Sequence, residues 1–503
     1  MESYCTAVFD VGKTNKKLFI FDRNLKIIDS VFANFGIYTK DLIDYEDTDA
    51  IELWLIEQLT KKAGQYPIKA ISITAHGATF AAIDGRGKPA IPVISYTTEP
   101  GENFHEEFYN SMGSSDSLQL HTATPRFSNL LNMAKGIYFA QRKYPDRFST
   151  ATAILGYPQY FGYLLTGRRG AEPTYVGCHT YLWDYERNSW SSVAAKLGII
   201  DKLPPALNKS WEVLGKITPE LAARTGLGQE TVVTMGIHDS NAALLPYLLK
   251  TREDFVLNST GTWCVAMHPA KKISFSRDEI GKVVFYNLDA FSNPVKTAIF
   301  LGGLEFERYI SLFNKINGEK PFPAFDPLLY RQIIKGRESF ILPGVLRRTG
   351  QFPDSLPGVW QQERFIPLEV IESGEEIPAL FRDFARAYAV LNLSLAIQNR
   401  VSLERIGINR GSSIFVEGGF RKNPDFNALL TAFYPSSPLF LTNLNEASAF
   451  GAAILARLAV EKEETEDIAS CFNIESTGIE PVAMAGLDSY TEKFMKVIAN
   501  TGG

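Results

Sequence analysis

The chain has 503 residues, 45% of them apolar and 21% charged, and a formal net charge of −5. That length exceeds one ordinary core, so two domains are expected, and the composition is that of a globular chain rather than a disordered or fibrous one. The acidic balance leaves no basic footprint for nucleic acid or an anionic membrane, and no apolar run reaches the roughly 20 residues that span a bilayer. The cysteines Cys5, Cys178, Cys264 and Cys471 show no metal-ligand spacing and read as free thiols in a reducing cytosol. Met1-Glu2-Ser3-Tyr4 leads almost directly into a strand, so no signal peptide is read and a cytoplasmic protein is expected.

The opening reads as a meander of Ala7 to Phe9, Leu18 to Phe21 and Ile27 to Phe32, followed by a helix over Glu52 to Lys62. Ala70 to Thr74 reads as a buried strand, and Phe80 to Ile83 as another that ends at the turn Asp84-Gly85-Arg86-Gly87. Residues 126–166 read as mostly helical, with shorter helices at 191–198 and 218–226. A buried strand from Val232 to Gly236 runs to Ile237-His238-Asp239 and a helix start. From Phe255 the strand-rich pattern returns, continued by Val283 to Leu288 and Thr297 to Phe300. Leu304 to Asn314 and Leu380 to Arg400 read as helices, the latter apolar along one stripe. Ile414-Phe415-Val416 is a strand ending at Gly418-Gly419, and Asn423-Pro424 is a capped helix start. A final helix, Glu446 to Val460, carries small residues suited to close packing.

Two turns stand out. DVGKTNKK (10–17) and NSTGTW (258–263) each join one short apolar run to the next, about 250 residues apart. Glycine lets backbone approach a bulky anion, and successive N–H groups with Thr or Ser hydroxyls cradle phosphate oxygens. Two such turns facing across a cleft would hold a nucleotide triphosphate, with Lys13, Lys16 and Lys17 making the first one locally positive.

AHGAT (75–79), GIHDS (236–240), VEGGFRKNP (416–424) and NEASAFGAA (445–453) complete a set with these turns. In order and approximate spacing the set resembles the FGGY carbohydrate kinases, over nearly the whole chain. The resemblance implies an α/β fold of two actin-like ATPase (ribonuclease H-like) domains, each a mixed sheet with flanking helices, with a cleft between them. Residues 1–246 would hold the sugar site and first phosphate loop, and residues 247–503 the second phosphate loop and adenosine site. The implied activity is ATP-dependent phosphorylation of a sugar hydroxyl with Mg2+, without nucleic-acid or membrane partners; a homodimer is compatible with it. His238-Asp239-Ser240 is more similar to the rhamnulokinase and fuculokinase branch, which favours an L-rhamnulose or L-fuculose type of ketose over a pentulose or polyol. A non-catalytic sugar or nucleotide sensor on the same fold, and a chaperone- or filament-type ATPase, are the readings from other classes.

Asp239 is the candidate base for the sugar hydroxyl, with helix capping as the alternative. Asp10 would hold Mg2+, unless it only bonds its own turn. Gly12, Thr14 and Asn15 would contact the β- and γ-phosphates, Lys17 would reach the transferred group, and Lys13 either joins them or is solvated. Thr260, Gly261 and Thr262 form the opposing loop, and Gly418, Gly419 and Asn423 resemble the adenosine segment. On the sugar side stand His76, Gly77, Tyr96, Glu99, His238 and Asp239. The family's arginine beside its aromatic is absent from Ser95-Tyr96-Thr97-Thr98-Glu99, and Arg126 and Asn129 are further polar candidates.

Overall fold

The computed structural model describes residues 4–444 and 446–501. Met1 to Ser3, and Asn445 at the head of the last motif, lie outside the described residues. The N-terminal sheet begins with the antiparallel strands β1 (Cys5–Val11), β2 (Asn15–Asp22) and β3 (Ile27–Asn34). β4 (Ile68–Ala75) adds to β1 in parallel, and β5 (Val232–Thr234) and β6 (Ile237–His238) add to β4 in parallel. Ala7, Val8, Phe9, Ile71 and Ile73 are fully buried, as expected of parallel strands covered on both faces.

Helix α1 (Asp239–Lys250) leads to the second sheet, which repeats the plan. Strands β7 (Phe255–Thr260) and β8 (Cys264–Pro269) form its first hairpin. β9 (Val284–Leu288) and β10 (Pro294–Phe300) form its second, and β10 lies beside β8. The long helix α2 (Phe384–Arg405) crosses to β11 (Ser413–Gly418), parallel to β7. After α3 (Pro424–Phe433), β12 (Leu439–Thr442) joins β11. Both sheets therefore share one core order, third-second-first-fourth-fifth: β3-β2-β1-β4-β5 and β10-β8-β7-β11-β12. This is the duplicated mixed-sheet architecture expected from the sequence.

Helix α4 (Ala447–Glu461) belongs to the C-terminal half in sequence but packs on the other sheet. Its Ala449, Ala452 and Ala453 share a core cluster with Val8 and Phe19 of the first hairpin and with Ala242 and Leu245 of α1. The small residues are required there. A β-carbon on Gly451 would overlap the Ala242 carbonyl.

Several elements depart from the sequence reading. Residues 126–166 are not one helical region: strand Ala151–Gly156 separates helices Met133–Lys143 and Tyr157–Thr166 and pairs with Phe80–Asp84. The helix read from Leu380 starts only at Phe384, because Asp383 caps it by accepting from Arg386 N at 3.1 Å. α2 is buried nearly all round rather than along one stripe, with Asn392, Gln398 and Asn399 fully enclosed. α4 is not the last helix, since Thr465–Ser470 and Leu487–Thr501 follow. The four cysteines are free, with Cys471 exposed and the others buried. Among the described residues no helix is long and apolar enough to cross a membrane.

Candidate active site

Strand register assembles the site. Val11 of β1 and His238 of β6 both lie level with Ala75 of β4, so Asp10, His76 and Asp239 emerge at the carboxyl ends of adjacent parallel strands. In the second sheet Thr260 of β7 is level with Gly418 of β11. Open α/β sheets bind ligands outside these strand ends. Here the two edges enclose a cleft of about 540 Å³, lined by Asp10, Lys17, His76, Gly77, Tyr96, His238, Asp239, Thr260, Gly261 and Gly418 among others. A larger hollow of about 820 Å³ around Trp183, Tyr185, Trp190 and Leu288 has no comparable pair of carboxylates, so volume does not decide the site.

One end of the cleft is acidic. Burial and the neighbouring Asp239 push the Asp10 carboxyl up to about 7, against the lowering effect of Lys17. Burial also raises Asp239. Asp239 is the first residue of α1 and His238 occupies the cap position; the Asp239 side chain accepts from the adjacent Ser240 N at 2.6 Å. It is therefore not the cap that its position suggested, and its carboxylate borders open space. Lys17 stands opposite Asp10 in the hairpin and pairs at 2.6 Å with Glu446, at the head of α4. Burial holds the Glu417 carboxyl at about 7, and its backbone carbonyl accepts from the Thr260 hydroxyl. Gly418 has φ +81°, and a β-carbon there would overlap the Thr260 carbonyl. Strands β7 and β11 close on each other only because that residue is glycine.

The other end is imidazole-lined. His76 packs on Tyr157 and Tyr96, with ring centroids 4.9 and 5.3 Å away, and its Nε2 is buried 3.9 Å from Glu46 Oε1 without a hydrogen-bond partner. His238 is buried and held at about 4, and His179 is held at about 3 by burial and by His238. All are neutral at pH 7, able to donate and accept toward hydroxyl groups. Facing them are Leu131, Phe285 and Ile299, together with Asn287, whose buried Oδ1 has no partner.

Other sequence-predicted residues are engaged elsewhere. Lys13 is neither solvated nor on the cleft wall. Its ammonium pairs with the buried Glu46 at 2.6 Å, contacts Ser95 and lies 5.0 Å from the Tyr96 ring. Lys16 is buried and donates to the Lys13 carbonyl at 3.0 Å, bracing the first turn from within. Of the three lysines read as a positive site, Lys17 alone lines the cleft. Gly12 is half-buried and not among the lining residues, and Thr14 and Asn15 are exposed at the hairpin tip, as are Gly261 and Thr262 in the second hairpin. Glu99 is taken up by Gly101 N, Asn129 N and His105 Nε2, at 2.9, 2.7 and 2.9 Å. Asn129 donates to the Thr97 carbonyl and Arg126 pairs with Glu102. Asn423 caps α3 through Phe426 N at 3.0 Å and donates to Asn392 at 2.7 Å; Gly419 beside it remains exposed.

Sequence reasoning missed Cys178, His179, Asn287, Glu417 and the contact made by Glu446. It also missed Gly303, where a β-carbon would overlap the Gly261 carbonyl of the second turn. One signal was visible: Gly302-Gly303 repeats the glycine economy of the turns. His179 gave none, because its placement depends on a left-handed backbone, φ +43°.

The chain matches a known family along most of its length. Residues 5–246 match the FGGY family of carbohydrate kinases, N-terminal domain, and residues 252–465 match the carbohydrate kinase FGGY C-terminal domain. It is 26% identical over 271 residues to a rhamnulokinase of Halalkalibacterium halodurans, an alignment spanning 52% of this chain and 55% of that one. It is 22% identical over 479 residues to an L-fuculokinase of Haemophilus influenzae, covering 89% and 93%. The crystal structure of a carbohydrate kinase from Novosphingobium aromaticivorans superimposes with a TM-score of 0.78 at 26% identity, over the whole of both chains. With both halves matched in order on the duplicated fold, the chain belongs to the FGGY family of carbohydrate kinases.

Proposed function

We propose that the chain phosphorylates a terminal hydroxyl of a neutral ketose with ATP, a 6-deoxyketohexulose of the L-rhamnulose or L-fuculose type being favoured over a pentulose or polyol. The observation that carries this reading is the meeting of Asp10 and Asp239, from different strands, in a cleft whose other end offers three neutral imidazoles. The relatives named for two different sugars at low identity support the ketose class without choosing a member. The apolar wall of Leu131, Phe285 and Ile299 opposite the histidines favours a sugar carrying a methyl carbon.

The residues fit a magnesium nucleotide. Asp10 is an oxygen donor whose carboxyl is raised by burial and by Asp239, so a cation beside it would favour its charged form, and oxygen donors suit Mg2+. The two glycine hairpins both contribute to the cleft lining, Asp10 and Lys17 from the first and Thr260, Gly261 and Trp263 from the second. When bound, ATP supplies the phosphoryl group and Mg2+ offsets its charge. Asp239, raised toward neutrality by burial, accepts the hydroxyl proton. Lys17 leaves Glu446 to meet the incoming phosphate, and His76, His238 and His179 orient the sugar. Closure of the lobes then excludes water from the cleft.

ADP release measured over a panel of ketoses tests the reading. Sugar-stimulated release supports it, release independent of sugar points to a plain ATPase, and no release points to a sensor. Asp239→Asn is expected to lower turnover by about 10²–10⁴-fold with nucleotide binding retained. Near-normal turnover in that variant removes Asp239 from the role.

A further inference from the structure

Cys178, His179 and His238 share one wall of the cleft, and their donor atoms all lie within 4.8 Å of one another. Cys178 Sγ is 3.8 Å from His238 Nε2. Both imidazoles converge over Gly77, where a β-carbon would lie 2.8 Å from His238 Nε2 and 3.0 Å from His179 Nε2. Bond lengths of about 2.3 Å to sulfur and 2.0–2.1 Å to nitrogen place the ligand atoms of tetrahedral zinc about 3.5 Å apart. With all three donors within 4.8 Å of one another, closing to that spacing requires shifts of roughly 1 Å. From this geometry we propose that Cys178, His179 and His238 form a soft divalent-cation site of the zinc class, and that its occupancy blocks the sugar pocket.

Three features make the cluster a site rather than a coincidence of burial. The imidazoles are neutral at pH 7, so no proton must leave them. His179 Nδ1 is buried without a regular hydrogen-bond partner, while its ring packs against Phe127 and Phe285 with centroids 5.9 and 6.0 Å away. Asn241 lies 3.3 Å from His238 Nδ1 and its Oδ1 is buried without a partner. Turning that amide end for end lets Oδ1 accept from Nδ1–H, which frees the Nε2 lone pair for a metal and fixes the ring by a second partner. Binding costs one proton: the Cys178 S–H bond breaks, the thiolate bonds the metal and the proton passes to solvent. Three protein ligands leave a fourth position open, on the side where Asp239 Oδ1 lies 3.5 Å from His238 Nε2. Occupancy therefore removes two sugar-binding imidazoles and crowds the base. Mg2+, which prefers oxygen donors, does not compete there.

Cobalt(II) titrated into the nucleotide-free, full-length protein is the probe. Wild type is expected to develop a cysteinate-to-cobalt charge-transfer band that saturates at one equivalent and is displaced by zinc. Cys471→Ser keeps the band, Cys178→Ser loses it, and His179→Gln weakens cobalt affinity by about tenfold or more. Zinc is expected to raise the apparent KM for sugar while leaving that for ATP unchanged. A wild type without the band, a band that survives Cys178→Ser, or unchanged cobalt affinity in His179→Gln overturns the site. The last two variants are independent, so a folding failure in one leaves the other decisive. The band needs no turnover; sugar-stimulated ADP release by metal-stripped protein with Mg2+ separately tests the kinase reading on which the inhibition rests.

Discussion

Replacing Asp10 by Asn should stabilise the nucleotide-free protein, and by an amount that depends on pH. The folded protein holds this carboxyl at about 7, above its ordinary 3.8, because burial and Asp239 oppose its charge. Across that interval the folded state binds more protons than the unfolded state, so stability falls as pH rises. The group's contribution is fully present below about pH 4 and lost above about pH 7. Three pH units at about 1.4 kcal/mol each give an upper bound near 4 kcal/mol. Asp10 is partly open to the cleft, and water there screens the charge, so a gain of about 1–3 kcal/mol is the working expectation. Asn keeps the shape and removes the ionisation. The assay is urea unfolding of wild type and Asp10→Asn across about pH 4 to 8.5, without nucleotide or Mg2+. The two curves should meet at the acid end and separate in favour of the variant toward pH 8, while the variant loses activity. A wild type equally stable at pH 8, or a difference that does not change with pH, refutes the electrostatic reasoning.

The remaining expectations concern glycines that hold surfaces together. Gly77→Ala puts a β-carbon 2.8 Å from His238 Nε2 and 2.9 Å from His179 Cε1; the sugar KM should rise by about tenfold or more with nucleotide affinity unchanged, and an unaltered KM would show that these rings do not read the sugar. Gly418→Ala combines φ +81° with overlap on the Thr260 carbonyl; it should cost about 2 kcal/mol or more of stability, and an unshifted unfolding midpoint would contradict the close approach of β7 and β11. Gly451→Ala should push α4 off α1 and cost about 1–3 kcal/mol, read by faster hydrogen exchange along both helices; unchanged exchange would mean that the contact yields without cost.

What the sequence made legible was local. The two hairpins declared themselves because turn residues and their flanking apolar runs are neighbours in the chain, and the Asn423-Pro424 helix start followed from capping alone. Distance in sequence hid the rest. Lys13 read as a phosphate contact or a solvated lysine because Glu46, its partner, is 33 residues away. Strand Ala151–Gly156 was absorbed into a helical region because its pairing partner, Phe80–Asp84, is about 70 residues earlier. α2 read as apolar along one stripe, yet off that stripe Gln398 donates to the buried Glu305 at 2.7 Å and Asn399 exchanges hydrogen bonds with Asn258. A buried polar residue with a distant partner has the same local pattern as an exposed one. Glu99 and Asn423 show the converse. Both were read as ligand contacts, Asn423 from the family pattern and Glu99 as a substitute for it, and both make hydrogen bonds to backbone and to other side chains.

The charges of the cleft argue for the order of events. Asp10, Asp239, Glu417 and Glu446 line it, and among its described lining residues Lys17 is the one lysine or arginine, already paired with Glu446. An empty cleft of that balance opposes any anion arriving without a cation, whether a bare nucleotide, an acidic sugar or a sugar phosphate. Under the proposed function it would admit a nucleotide accompanied by Mg2+, and a neutral sugar beside the imidazoles. The same field acts on the outcome of phosphoryl transfer. On that proposal, a sugar that has gained a phosphate would carry negative charge into a pocket of neutral rings and acidic side chains, and its departure would be favoured. Asp10, Asp239, Glu417 and Glu446 would then act against an unaccompanied anion on entry and against the charged product on exit.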